Sequence, residues 1–271
     1  MAPPKPMTGP GPNAARRPRR SRRHVAAVAA AVVSLAIALV PIAAVADVSV
    51  GPGGLGSASS GPFAPAVRGE VTPPPCPSVV VVGDSLTAIR PQATTTAFER
   101  IGVPVTVDAR SSRRVPADVP VEGLSGVRAV RDLLAEGVDA ACWVVALGSN
   151  DLLWVETPGR YGPDARGTVE AYLTMMTDAI EADRGDGETV DRRIFWVNLD
   201  HHRRYGPEAT LFNSLLVERR ARDPLFDVID WYALSSAHPE WFVDSVHVNA
   251  AGYDARAALV AGTIDTVNRS R

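Results

Sequence analysis

The sequence predicts an α/β fold: a three-layer α/β/α sandwich around a five-stranded parallel sheet in the flavodoxin-like order 2-1-3-4-5. Three observations point there. Val79-Val80-Val81-Val82 is a run of four β-branched residues. Such a run reads as a short strand buried on both faces, as in a parallel sheet. From Ser78 onward, apolar runs of strand length alternate with segments of helix length, which implies βαβ units. Right-handed crossovers then place helices on both faces of the sheet. Finally, the roughly 195 residues after the leader suit one domain with a single core, and 46% of the chain is hydrophobic.

The N-terminus stands apart. Residues 1–24 are rich in Pro, Gly and Arg and are expected to be disordered. Arg16, Arg17, Arg19, Arg20, Arg22 and Arg23 crowd the end of that stretch, and an uncharged apolar run, 25–46, follows. Ala44-Val45-Ala46 is a small-x-small site of the kind signal peptidase cuts. Residues 25–46 are therefore expected to be a signal peptide. If they are not cut, about 22 apolar residues are long enough for a signal anchor, with the arginines in the cytoplasm. Ser21-Arg22-Arg23-His24-Val25 also resembles a twin-arginine signal, and Pro41 favours cleavage. Either way the rest of the chain is expected to be extracytoplasmic, secreted or membrane-anchored. Residues 47–77, with Gly51-Pro52-Gly53-Gly54 and Pro73-Pro74-Pro75, read as a linker, flexible and then stiffer.

Residues 78–271 are the expected folded domain. Strands are predicted near 79–83, 103–108, 142–148, 193–199 and 226–230. Helices are predicted near 86–100, 123–136, 167–183, 208–221 and 249–267. The two cysteines, Cys76 and Cys142, lie just before the first strand and at the start of the third. In the order 2-1-3-4-5 those strands are neighbours, so both thiols fall at the amino-terminal edge of the sheet. An exported compartment permits a disulfide, and one is expected between them. The alternative is two buried thiols acting as small hydrophobes.

Charge narrows the function. Residues 1–46 carry Lys5 and six arginines and no acid, which leaves 21 basic against 30 acidic residues in the remainder. An acidic domain lacks the basic footprint of a nucleic-acid binder. Lys5 is the only lysine, so Schiff-base chemistry in the domain is excluded.

Four segments fall at the carboxyl edge of the predicted sheet or before the last helix. They are Gly83-Asp84-Ser85, Asp108-Ala109-Arg110-Ser111-Ser112-Arg113, Gly148-Ser149-Asn150-Asp151, and Asp244-Ser245-Val246-His247. Ligands of open α/β sheets bind at that edge. Serine is a weak nucleophile without a base to take its proton. His247 can serve as that base, and Asp244, three residues earlier, can fix its tautomer. The Asn150 side chain can donate to an oxyanion beside backbone amides. Singly, Ser85 reads as an N-cap, Asn150 as a turn-former, Asp244 as a cap on the approach to the last helix, and His247 as a satisfied surface residue.

Together Gly83-Asp84-Ser85, Gly148-Ser149-Asn150-Asp151 and Asp244-Ser245-Val246-His247 resemble the first, third and fifth sequence blocks of the SGNH (GDSL-type) hydrolases. The likeness runs from about Ser78 to Ile264. It implies Ser85 as nucleophile, His247 as base, Asp244 as its orienting partner, and Asn150 and the Ser85 amide as oxyanion donors. One block departs. Where the family has a glycine after the second strand, this chain has Ser112 or, in the other alignment, Ser111. The backbone amide survives such a change if its angles suit a residue with a Cβ. Val228-Ile229-Asp230-Trp231 and His238-Pro239-Glu240-Trp241-Phe242 narrow the likeness to extracytoplasmic SGNH domains of glycan O-acyltransferases.

The expected function is an exported serine esterase or O-acyltransferase for small O-acyl esters, with acetyl on cell-wall or surface carbohydrate foremost. It needs no cofactor or metal, and a membrane acyl-donor partner would serve the transferase. The alternatives are a lipase or lysophospholipase on the same triad, and a silent glycan-binding module on the same fold. Three further features carry two readings each. Asp200-His201-His202 is an exposed loop at the active edge that can contact substrate or, less favoured, a metal site. Trp231, Trp241 and Phe242 line an acceptor cleft or pack beneath the catalytic loop. Arg110, Arg113 and Arg114 are solvated loop residues or meet an anionic substrate.

Overall fold

A computed structural model of the chain describes residues 73–155, 164–182, 191–200 and 206–270. Five strands, β1 (Val79–Gly83), β2 (Val105–Ala109), β3 (Cys142–Ala146), β4 (Arg193–Val197) and β5 (Phe226–Ile229), form one parallel sheet in the order β2-β1-β3-β4-β5. Val79 lies opposite Val105 and Cys142, and Gly83 opposite Ala109 and Ala146, so the three strands of that half end level. Every residue of β1 and β3 is buried, which is why these strands read as continuous apolar runs rather than alternating ones.

The pleat sorts the side chains into two cores. Val80, Val82, Trp143, Val145 and Trp196 face α3 (Gly126–Ala135), α5 (Ala165–Glu181) and α6 (Gly206–Arg222). Val79, Val81, Val144, Phe195 and Val197 face α2 (Pro91–Ile101) and α8 (Ala250–Arg269), which also pack on each other. Burying each valine of β1 contributes about 1.5–3 kcal/mol. The three-layer sandwich and its strand order are as the pattern predicts.

Several elements differ from the expected ones. The single helix expected over 86–100 is two, α1 (Ser85–Ala88) and α2, broken at Arg90-Pro91. Pro91 has no N–H and disfavours helical angles at the residue before it, and Arg90 sits at φ −139°, ψ 63°. Two short helices directly after strands were not expected: α4 (Ser149–Val155) and α7 (Trp231–Ser236). Strand β3 stops at Ala146 rather than 148, where its pairing with β1 also ends.

At the amino-terminal edge Cys76 and Cys142 form a disulfide with Cα atoms 5.3 Å apart. The Cys76 backbone is also bracketed by the Asn268 side chain of α8, which accepts from its N–H at 2.8 Å and donates to its carbonyl at 3.0 Å. Among the described residues no helix is long and apolar enough to cross a membrane. The expected signal or anchor segment, 25–46, lies outside the described residues, as do His201 and His202.

Candidate active site

Strand β1 delivers Ser85 to the carboxyl edge. A Cβ at Gly83 would come within 2.6 Å of the Thr87 hydroxyl, so glycine lets the chain turn tightly into α1. Asp84 caps α1, its carboxylate accepting from the Leu86 N–H at 2.9 Å. Ser85 follows as the first residue of the helix, only 7% exposed.

The imidazole arrives from the loop before α8. An antiparallel bridge between Phe242 and Val248 pinches that loop, and the Val243 N–H donates to the His247 carbonyl at 2.9 Å. Within it Asp244 Oδ1 accepts from the N–H groups of Val246 and His247, each at 2.7 Å. The other oxygen, Oδ2, lies 2.8 Å from His247 Nδ1, and His247 Nε2 lies 2.9 Å from Ser85 Oγ. Partial burial pushes the Asp244 carboxyl up, but the backbone N–H groups of His247 and Val246 and the imidazole outweigh it and hold the pKa at about 2. An ionised carboxylate only accepts hydrogen bonds. Nδ1 therefore carries the proton, which leaves Nε2 free to accept from the Ser85 hydroxyl. The three residues named from sequence form one continuous relay.

The opposite wall is the loop after β2. Asn150 Nδ2, on α4, donates to the Arg113 carbonyl at 3.1 Å and approaches Asp84 Oδ2 at 3.5 Å. One amide thus joins the β1, β2 and β3 ends. Ser112, next to Arg113 and exposed, has φ +65°, the only positive φ of a non-glycine among the described residues. That is the conformation in which a glycine is at ease and a Cβ is not.

Beneath this wall lies a buried charge cluster that the motifs did not reveal. Both oxygens of buried Asp151 accept from the Val115 N–H, at 3.1 and 3.2 Å, and Arg114 Nε lies 3.7 Å away. Burial pushes the Asp151 carboxyl up to about 7 against the pull of Arg114. Burial likewise raises Asp84, opposed chiefly by Arg256.

The expectation of solvated loop arginines is corrected for two of the three. Arg113 and Arg114 are 3% and 7% exposed. Arg113 donates to the Asp108 carbonyl at 2.7 Å, the Asp108 carboxylate at 2.8 Å and the Gly123 carbonyl at 3.2 Å. These bonds fold the loop upon itself, and only Arg110 is exposed. Trp231 and Trp241 follow the packing reading. Trp241 stacks on Trp231, centroids 6.1 Å apart, and its backbone carbonyl accepts from the Asn249 N–H, so it packs beneath the catalytic loop. Trp231 and Phe242 line a small cavity.

The wall of that cavity, about 30 Å³, includes neither Ser85 nor His247. Leu86, Ser149 and Val246 of its wall each neighbour a proposed catalytic residue in sequence, and Leu199, Asp200 and Arg256 also line it. Asp200 also accepts from the Ser235 hydroxyl at 2.6 Å. Among the described residues no cluster of three metal-ligating side chains occurs.

No protein-family model matches the chain, and no curated protein sequence does. Solved structures do. The catalytic domain of peptidoglycan O-acetyltransferase A from Streptococcus pneumoniae is 16% identical, with 71% of this chain and 93% of that one covered at a TM-score of 0.50. A carbohydrate acetylesterase from Sinorhizobium meliloti is 14% identical, covering 70% and 98% at 0.52. An aryl esterase from M. smegmatis is 14% identical, covering 70% and 99% at 0.52. The chain has the fold of the SGNH hydrolases.

Proposed function

We propose that this chain, on its SGNH-hydrolase fold, is an exported serine esterase or O-acyltransferase for small O-acyl esters of carbohydrate. The observation that carries the reading is the unbroken relay from Asp244 through His247 to Ser85, at 2.8 and 2.9 Å. In the forward step His247 Nε2 takes the hydroxyl proton as Ser85 Oγ bonds to the ester carbonyl carbon. The carbonyl oxygen becomes an oxyanion facing the Ser85 and Ser112 amides and the Asn150 side chain. On collapse the C–O bond to the alcohol breaks, His247 returns the proton to the departing oxygen, and an acyl-serine remains. A water, or a sugar hydroxyl, then gives its proton to His247 and attacks the acyl carbon; as the acyl–Oγ bond breaks, His247 returns that proton to Ser85. The first route is hydrolysis and the second is transfer.

A cavity of about 30 Å³ favours a short acyl group. It has room for one or two waters' worth of atoms, which suits acetyl and disfavours the long chains of a lipase. Two of the similar structures bear the names of an O-acetyltransferase domain and a carbohydrate acetylesterase, which makes acetylated glycan the first substrate to try. The Cys76–Cys142 disulfide and the apolar run after an arginine cluster support export.

The deciding measurement is intact mass after incubation with 4-nitrophenyl acetate. The wild type is expected to gain one acetyl group transiently and to release nitrophenol catalytically. Ser85→Ala is expected to gain none and to lose about 10³-fold or more in rate. Equal turnover by the two proteins would overturn the assignment.

A further inference from the structure

Arg256, on α8, is a buried cation that makes no salt bridge, although buried Asp84 lies near enough to act on its charge. It is 6% exposed, and among the described residues no carboxylate lies within ion-pair distance of it. Its Nη1 makes only two long contacts, to the Leu86 carbonyl at 3.5 Å and the Thr87 hydroxyl at 3.3 Å. Its Nε has no hydrogen-bond partner. The Trp231 ring lies 5.9 Å from the guanidinium carbon. Other buried arginines are treated differently: Arg113 and Arg192 each reach a carboxylate, Asp108 at 2.8 Å and Asp139 at 3.2 Å. A guanidinium offers five donors and no acceptor, and leaving them unmade in a buried site is costly. Arg256 lines the same small cavity, whose wall also holds Leu86, the residue after Ser85.

We infer that the Arg256 end of this cavity is an oxygen-recognition subsite for the acyl group. The preferred acyl group is short and neutral and carries an oxygen on the carbon next to the carbonyl, as in glycolyl. Size and charge select this class. At about 30 Å³ the cavity admits neither a sugar ring nor a long chain. A plain alkyl extension such as propionyl would cover the guanidinium with carbon and leave its donors unpaired. A terminal carboxylate would meet Arg256 but also Asp200, which lines the same wall. A neutral oxygen meets the donors without that repulsion.

The inference rests on the proposed acyl-serine chemistry, so its test carries that chemistry as an internal control. The wild type is assayed on 4-nitrophenyl acetate, propionate and glycolate, each kcat/KM being divided by that ester's own hydroxide-catalysed rate constant. The corrected glycolate-to-propionate ratio is expected to be about 10 or more. It is expected to fall toward 1 in Arg256→Met, and part of the way in Arg256→Lys. A wild-type ratio near 1, with acetate turnover still dependent on Ser85, overturns the subsite and leaves the serine chemistry standing. A ratio unchanged in Arg256→Met or Arg256→Lys overturns it as well. Acetate turnover that survives Ser85→Ala marks the failure as one of the serine assignment, and the subsite falls with it. Where Arg256→Met does not fold, the wild-type ratio and the Lys variant still decide.

Discussion

A single backbone angle separates this site from the pattern it resembles. Ser112 stands at φ +65°, where an L-residue with a Cβ is strained by about 1–2 kcal/mol. Glycine would relieve that strain but would add about 0.4–1 kcal/mol of unfolded-chain entropy. Ser112→Gly is therefore expected to raise stability by about 0.5–1 kcal/mol in urea unfolding, with acetate turnover equal or higher. A loss beyond about 1 kcal/mol would show that the serine side chain contributes something its exposure does not reveal. The sequence supplied the position and the departure, but not the angle. The same holds across the site. Asp244 and His247 were legible because three residues of local spacing suffice to bring carboxylate to imidazole. Arg113, Arg114 and Arg256 were not, because the burial of a charged side chain is decided by elements distant in the chain.

Among the elements, α4 shows how a short helix escapes pattern reading yet shapes the site. Seven residues, Ser149–Val155, are too few to display a helical period, whereas the all-valine β1 announces itself. The helix places Asn150 against the Arg113 carbonyl and Asp151 against the Val115 N–H, so it clamps the loop that bears Ser112. The clamp has a pH signature. Burial sets the Asp151 pKa at about 7, far above its ordinary 3.8. Below pH 3.8 the carboxyl is protonated in both folded and unfolded chains and costs nothing. Between 3.8 and 7 the unfolded chain releases that proton first, so stability falls as pH rises. Above 7 the penalty is constant. Asn cannot ionise, and its carbonyl can still accept from Val115. The urea-measured stability of the wild type is expected to fall more steeply from pH 5 to pH 8 than that of Asp151→Asn. Any constant cost of leaving Arg114 with an uncharged neighbour cancels in that comparison, and Asp84 remains in both proteins. Parallel slopes would mean that Asp151 is already ionised in the fold at pH 5.

At the scale of the whole molecule, topology was the most legible feature, because apolar strands separated by helix-length segments leave few parallel arrangements open. That same topology keeps stability and chemistry at opposite ends of the sheet. Each strand of the β1–β3 pair is five residues long, a span of about 16 Å at the usual rise per residue. Ser85 leaves one end, and the Cys76–Cys142 bond ties the other. The bond closes a sequence separation of 66 residues, which in the chain-entropy account restrains the unfolded state by about 4 kcal/mol. Its neighbourhood is structural too, since Asn268 fastens the same Cys76 backbone to the end of α8. Replacing both cysteines with Ala is therefore expected to lower unfolding free energy by about 3–4 kcal/mol in urea, with the shift appearing as an earlier midpoint. Acetate turnover at a temperature where both proteins are folded is expected to stay within about twofold of wild type, because nothing in the relay touches that edge. If turnover fell together with stability, the two edges would be coupled through β1 itself, and the rigid strand would have to be regarded as part of the catalytic machinery.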